Sequence, residues 1–149
     1  MARYNKIFRG PADKVKPQVR EAICATAVLP GTVVIASGNN FAQAAANTTA
    51  RAYLAQDNYL AMKGVDDAWP AGDRVVALHP QDDEIYSVRV PTGQNITHDA
   101  PLTTNAAGKL VLATTGQRIL FWAGETYNNT SGVDQLVTAR AANTNLPAA

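Results

Sequence analysis

The sequence predicts an all-β fold, a small β-barrel or sandwich of about eight short strands with an extended N-terminal arm. Apolar and β-branched runs recur along the 149 residues, and Gly, Pro and Asn turn signals separate them. No amphipathic helical stripe lies between these runs, which argues against alternating βαβ units. Charged residues make up only 17%, and Thr and Asn take their place, which favours strands and turns.

The chain divides into three predicted segments. Residues 1–18 are the arm, because the first twenty residues carry six basic side chains against one acid, and Pro11 and Pro17 prevent a continuous helix. We expect this arm to be poorly ordered in isolation. Residues 19–142 are the β-domain, and residues 143–149 are a flexible tail.

The first half of the domain predicts strands in residues 19–28 and 32–35, joined by a Pro-Gly turn. Residues 42–52 are rich in Ala, but they show no amphipathic stripe, so a short helical turn is only the alternative there. A further strand is predicted at residues 51–55, and residues 57–62 are ambiguous.

The second half contains a predicted hairpin, in which residues 73–78 and 84–90 are strands and residues 79–83 form the turn. Later strands are predicted at residues 110–114, 118–123 and 135–139. A shared pattern places Gly31, Gly72 and Gly108 just before strands, where a glycine permits a positive φ or a close approach of the backbone.

Catalytic signatures are absent from the sequence. None of the three serines lies in a G-x-S-x-G motif, and His79 and His98 fall in turn-like contexts that indicate surface histidines. Acidic residues at 82–84 lack the alternating spacing of a calcium loop. The lone Cys24 lies in an apolar run and is expected to be a buried, inert thiol. We therefore expect no enzyme activity, no cofactor and no metal.

Charge and hydropathy also limit the partners. The formal net charge is +1, whereas nucleic-acid-binding domains usually carry a large basic excess, so no nucleic acid is expected. The N-terminus has no apolar core like that of a signal peptide, and no stretch of the sequence approaches the length of a membrane span, so no membrane is expected. Residues 57–84 hold seven acids against Lys63 and Arg74, opposite in sign to the arm. The basic arm and this acidic segment favour association with a partner, or between copies, through complementary electrostatic potentials. The alternative is that the arm is a solvated tail and the acids lie in solvated turns.

The elements follow one another in a recognisable order. A basic arm comes first, then an apolar strand and a Gly corner. Gly72-Asp73 forms a second corner, Gly108-Lys109-Leu110 opens a strand, and residues 118–123 and 134–140 supply the C-terminal strands. This order resembles the small β-barrel head decoration, or capsid cement, proteins of tailed bacteriophages. The resemblance covers residues 19–140.

The resemblance implies a structural protein on the outer surface of a virion capsid, made in the host cytoplasm. Its partners would be the major capsid protein and further copies of itself, with a homotrimer preferred over a dimer. The arm would lie across a capsid subunit and stabilise the lattice. The arm residues expected to bind the partner are Arg3, Tyr4, Lys6, Phe8, Arg9, Lys14 and Lys16.

Three residues of the domain are further interface candidates: Trp69, Asp82 and Asp83. Trp122, within an apolar run, is expected to pack in the core instead. An alternative function is a tail- or fibre-associated β-domain that binds a receptor or glycan. A small hydrolase with a cleft built from Asp82, Asp83 and His98 is a third interpretation.

Overall fold

The computed structural model describes residues 1–10 and 18–145, with side chains described as far as residue 142. These residues form thirteen strands and a single 3-10 turn, Tyr59–Ala61, between β5 and β6. The strands are β1 Phe8–Gly10, β2 Gln18–Ile23, β3 Val33–Ser37, β4 Asn40–Gln43, β5 Ala52–Ala55, β6 Arg74–His79, β7 Ile85–Val90, β8 Asn95–Ile96, β9 Pro101–Thr104, β10 Leu110–Leu112, β11 Arg118–Ala123, β12 Tyr127–Asn128 and β13 Gln135–Asn145.

Two antiparallel sheets face each other and form a sandwich. One has six strands in the order β1-β7-β13-β11-β9-β10, and the other has five in the order β2-β6-β5-β3-β4. The short strands β8 and β12 pair as a separate ribbon. The all-β prediction is confirmed with sandwich architecture. The number of strands exceeds the predicted eight, mainly because several are only two or three residues long.

The first hydrophobic core contains residues from both sheets. Val33, Leu54 and Leu78 contribute to it from the five-stranded sheet, and Tyr86 and Phe121 contribute from the six-stranded sheet. Each of these side chains is at most 1% exposed. Burial of such side chains contributes roughly 1.5–3 kcal/mol each, so this core is the main source of stability.

A second core lies on the opposite face of the five-stranded sheet. Val34 and Tyr53, the chain neighbours of Val33 and Leu54, point into it, as strand alternation requires. A bridge between Cys24 and Phe41 brings the end of β2 alongside β4, so the two edges of this sheet meet. Cys24 is fully buried there, which confirms the expected buried thiol.

The three predicted glycine corners all have positive φ: 88° at Gly31, 85° at Gly72 and 71° at Gly108. Gly108 also permits a close contact between the sheets. Its carbonyl oxygen accepts a hydrogen bond of 2.8 Å from the Val33 amide. A Cβ at this position would lie 2.5 Å from the Val33 carbonyl oxygen, so only glycine fits.

Residues 1–10 differ from the predicted separate arm. Ile7 is fully buried in the first core, and β1 pairs with β7 at the edge of the six-stranded sheet. The Ser87 amide donates a 2.7 Å hydrogen bond to the Ile7 carbonyl oxygen. The segment is therefore extended, as predicted, but it belongs to the β-domain because its apolar side chains find a buried place there. Lys14 and Lys16 lie outside the described residues.

The C-terminal boundary also differs from the prediction. β13 continues to Asn145, and its last residues pair with Arg118 and Ile119 of β11. Residues 143–145 thus belong to the sheet and not to a tail, and residues 146–149 are outside the described part. No helix in residues 1–10 and 18–145 has the length and apolar character that a membrane crossing needs.

Two cations are buried where loops cross the six-stranded sheet. The Arg89 side chain is 3% exposed, donates to the Pro30 carbonyl oxygen at 2.8 Å and lies 3.2 Å from Asp66. Lys109 Nζ donates to Thr32 Oγ1 at 2.6 Å. Burial lowers the pKa of Lys109, against the opposing effect of nearby Asp134. These groups tie three loops to the sheet through charge-assisted hydrogen bonds.

Candidate interaction surfaces

The N-terminal segment is attached through a cluster that we call the clasp, consisting of Arg3, Tyr4, Arg9 and Glu125. Tyr4 Oη donates to Glu125 Oε1 at 2.7 Å, and Arg3 Nη2 lies 3.2 Å from Glu125 Oε2. The Arg3 guanidinium stacks 3.7 Å from the ring centroid of Tyr127, and that of Arg9 lies 4.1 Å from the Tyr4 ring. Cation–π contacts and one shared carboxylate thus hold the segment in place.

Electrostatics favour the ionised clasp. Burial acts to raise the pKa of Glu125, but hydrogen bonds from the Thr138 amide and the Tyr4 hydroxyl, with the charge of Arg3, lower that pKa below its usual value of 4.5. Ala2 makes a second attachment, since its amide donates to Asp66 Oδ2 at 2.7 Å.

The clasp changes the view of the predicted arm residues. Arg3, Tyr4 and Arg9 contact their own domain, and the Phe8 ring packs edge-to-face on Tyr86 with centroids 5.5 Å apart. These four side chains therefore make contacts within their own chain. Arg3 and Arg9 are also exposed, and the role of the four residues at an interface stays a prediction. Lys6 is exposed, and its role at an interface stays a prediction.

The prediction that Trp69 is an interface residue is wrong, because this side chain is only 4% exposed and lies in the second core. Its indole Nε1 donates to the Gln56 carbonyl oxygen at 2.7 Å, so the polar edge is satisfied internally. Trp122, expected in the core, is half-buried on β11 beside Arg140 of β13. Asp82 and Asp83 are exposed, and their interface role stays a prediction.

An apolar turn, which we define as Tyr59, Leu60 and Met62, projects from the domain between β5 and β6. The three side chains are 50%, 73% and 93% exposed. Hydrogen bonds define the turn: the Ala61 amide donates to Asn58 Oδ1 at 3.3 Å, and the Met62 amide donates to the Tyr59 carbonyl oxygen at 3.1 Å. An ordered turn that exposes clustered apolar side chains is typical of an interaction site.

A basic cleft of about 760 Å³ lies at the other end of β5. Arg51 precedes that strand, His79 ends β6, and Arg118 begins β11, while Leu120 and Phe121 lie at its base. Arg51 Nε donates to His79 Nε2 at 2.9 Å. Burial, and then the charge of Arg51, lower the pKa of His79 below 6.5, so the imidazole is neutral at pH 7.

The residues of the hydrolase interpretation are not gathered at one site. Asp82 lines the basic cleft, whereas His98 lines a smaller cavity of about 120 Å³ beside Arg140. His98 Nδ1 instead lies 3.1 Å from Asp99 Oδ2, and both side chains are largely exposed. Within the described residues, no group of three or more His, Cys, Asp or Glu side chains is placed to hold a metal ion.

Sequence reasoning missed both the apolar turn and the basic cleft. The turn showed only as an ambiguous segment, although four consecutive residues of apolar character between Asn58 and Lys63 were the available signal. The cleft had no such signal, because residues 51 and 79 are brought together by the pairing of β5 with β6, and residue 118 joins them through the packing of the two sheets.

Comparison with known proteins gives a similarity at the level of the fold. No family model matches the chain, and no curated protein matches it. The crystal structure of the head fiber gp8.5 N base of bacteriophage phi29 is similar, with a TM-score of 0.56 and 17% sequence identity. The similarity covers 87% of this chain and 98% of that one. At this identity the comparison supports the sandwich fold alone.

Proposed function

We propose that this chain is a structural protein of a phage head, which binds the outer surface of the capsid and clamps neighbouring subunits. The observation that carries the proposal is the similarity to the head fiber gp8.5 N base, which spans 87% of this chain and nearly all of that one. A match of this extent involves both sheets and not a single common hairpin. The resemblance of the sequence to capsid cement proteins supports the same role.

The apolar turn is the proposed anchor on the major capsid protein. Leu60 and Met62 expose most of their surface to water, and their burial in a pocket on the partner would remove that cost. Interface energy usually concentrates in a few such side chains. The turn is already held by its own hydrogen bonds, so little conformational freedom is lost on binding.

Several copies acting together would strengthen the attachment. We propose that the protein acts as a homo-oligomer, with a homotrimer preferred over a dimer. When capsid subunits are fixed in a lattice, each further contact made by an oligomer forms at high effective concentration. A modest anchor on each copy is then enough to stabilise the shell. The mass of the free protein in solution tests the oligomeric state.

Sedimentation with expanded phage heads that lack this protein tests the function. We expect the protein to pellet with the heads and to saturate at a fixed ratio to the capsid subunits. Leu60→Asp and Met62→Asp should each weaken this binding by at least about tenfold, since they place a charge in an apolar contact. Val133→Asp is the matched control, because Val133 is an exposed apolar residue of another turn, and its binding should equal the wild type.

Failure of the folded wild-type protein to pellet would overturn the capsid role. If the same protein then showed a thermal shift with particular sugars, a glycan- or receptor-binding domain of a tail or fibre would replace it. Equal losses in the Leu60, Met62 and Val133 variants would remove the apolar turn from the proposal, because they would reflect added negative charge alone.

A further inference from the structure

Two arginines, Arg51 and Arg118, line the basic cleft, and among the described lining residues Asp82 is the one acid. Arg118 is anchored by a 2.6 Å hydrogen bond to the Ala50 carbonyl oxygen. Arg51 gives the cleft a positive charge that an entering anionic group can meet.

Arg51 lacks an acidic partner within the described residues, where its guanidinium contacts the His79 ring instead. Its Nε and Nη2 lie 2.9 Å and 2.7 Å from His79 Nε2. The imidazole is surrounded by N–H donors, since Gln81 Nε2 also lies 3.0 Å from its Nδ1. The neutral imidazole orients the guanidinium without cancelling its charge, which leaves the cation oriented and uncompensated.

The cleft has room for a segment of peptide chain. It is open to solvent and has a volume of about 760 Å³. Ala52, Ala141 and Ala142 have small side chains, so a peptide backbone can approach the base closely. Phe121 and Leu120 beneath them give this base an apolar character.

We infer that the basic cleft binds an acidic peptide segment, with one carboxylate held by the fork of Arg51 and the peptide backbone lying over the alanine-lined base. Guanidinium groups bind carboxylates through two parallel hydrogen bonds, and this geometry is stronger than a single contact. The inference is independent of the capsid role, because the cleft lies at the start of β5 and the apolar turn follows the end of that strand.

The test uses the full-length protein and two peptides, hexaglutamate and hexaglutamine, in an NMR titration of the isotopically labelled chain. We expect hexaglutamate to shift the signals of Arg51 and His79 and hexaglutamine to leave them unchanged. The affinity should fall at least about fivefold between about 50 mM and 300 mM salt, as expected of an exposed ionic contact.

Variants separate a specific site from general charge attraction. Arg51→Gln should weaken hexaglutamate binding by about tenfold, and Arg51→Lys, which keeps the charge but loses the fork, by less. Arg74→Gln is the matched control, since Arg74 is an exposed arginine at the opposite end of β6 from His79. Its affinity should stay within about twofold of the wild type.

Either of two affinity results would overturn the inference: wild-type binding by the Arg51→Gln protein, or equal losses of affinity in the Arg51 and Arg74 variants. Signal shifts confined to residues outside the cleft would do the same. The assay contains no capsid, so its failure leaves the sedimentation experiment unaffected, and failure of sedimentation leaves the peptide result unaffected.

Discussion

Gly108 joins the two sheets at a single point. It precedes β10 of the six-stranded sheet, and its carbonyl oxygen accepts from Val33 at the start of β3 in the five-stranded sheet. The Ala44 amide donates to the Val33 carbonyl oxygen at 3.0 Å, so a side chain on Gly108 would have to displace an oxygen that is already in use. This position is therefore limited both by its backbone angle and by its surroundings.

Replacement of Gly108 by alanine, compared with a control glycine, separates the energetic cost of the positive φ from that of the steric clash. Gly108→Ala should lower the free energy of unfolding by about 2–4 kcal/mol, because a strained φ adds to a clash with backbone. Gly116→Ala is the control: its φ is 82°, but a Cβ there meets nothing within 4 Å. Gly116→Ala should lower the free energy of unfolding by about 1 kcal/mol, because only the strain of the positive φ acts there. Urea unfolding measures both values, and equal losses would mean that the close approach at Gly108 has no energetic weight.

Individual residues also show where sequence reasoning stops. The positive φ values at the three corners were predictable, because only glycine adopts them without strain. The burial of Arg89 was not, since it depends on loops around Pro30 and Val65 that are distant in sequence and accept hydrogen bonds from its side chain. Trp69 likewise lay in a turn-rich segment, and nothing local indicated that Val28 would pair with it.

Among the elements, the N-terminal segment takes its structure from a strand that is distant in sequence, because β1 pairs with β7 at the edge of the six-stranded sheet. Its basic charge and its prolines indicated an arm, and its extended form agrees with that prediction. Its place in the core depends on β7, which begins at Ile85 and offers a free edge. Predictions succeeded for strands whose own apolar pattern was long enough, such as β6, β7 and β11. The short strands β8 and β12 exist only because each pairs with the other.

The clasp should respond to acid. The pKa of Glu125 is raised by burial and lowered more strongly by its hydrogen bonds and by Arg3, so the net folded pKa is below 4.5. A depressed carboxylate pKa stabilises the fold above the unfolded value, and that stabilisation is lost as the pH falls through the folded value. We therefore expect part of the stability at pH 7 to disappear as the pH falls below 4.5, the usual value of the pKa of a glutamate.

Glu125→Gln should remove this part of the pH dependence and lower the free energy of unfolding at pH 7 by about 1 kcal/mol, the usual contribution of a hydrogen-bonded carboxylate. Urea unfolding at neutral and acidic pH measures both effects. Asp66, whose pKa is also lowered, leaves a residual dependence in the variant. Glu21→Gln, at an exposed glutamate of β2, is the control. An unchanged pH profile in the Glu125 variant would show that the clasp adds no stability.

At the scale of the whole molecule, the five-stranded sheet packs against one hydrophobic core on each of its faces. Leu54 points into the first core, while Tyr53 and Ala55 on the same strand point into the second. Loss of this strand would open both cores at once. The domain should therefore unfold as one cooperative unit, although its buried residues form two separate clusters.

The two tryptophans can report separately on the unfolding of the second core and of the six-stranded sheet, which we call the two halves of the domain. Trp69 lies in the second core, and Trp122 lies on the six-stranded sheet. We expect the single-tryptophan variants Trp69→Phe and Trp122→Phe each to show the same urea midpoint by fluorescence as by circular dichroism, within about 0.2 M. Circular dichroism of each variant corrects for any stability change caused by the substitution. A fluorescence midpoint that departs from it would mean that the halves unfold separately.

The five-stranded sheet also affects how the protein behaves before it folds. Its strands are apolar at consecutive positions, as in Val33-Val34 and in 75–78, because both of their faces end up covered. Such runs carry little charge and favour β-structure, so in an unfolded chain they are prone to aggregation. Refolding at high concentration should therefore lose material to precipitation, whereas slow expression at low temperature should favour soluble protein.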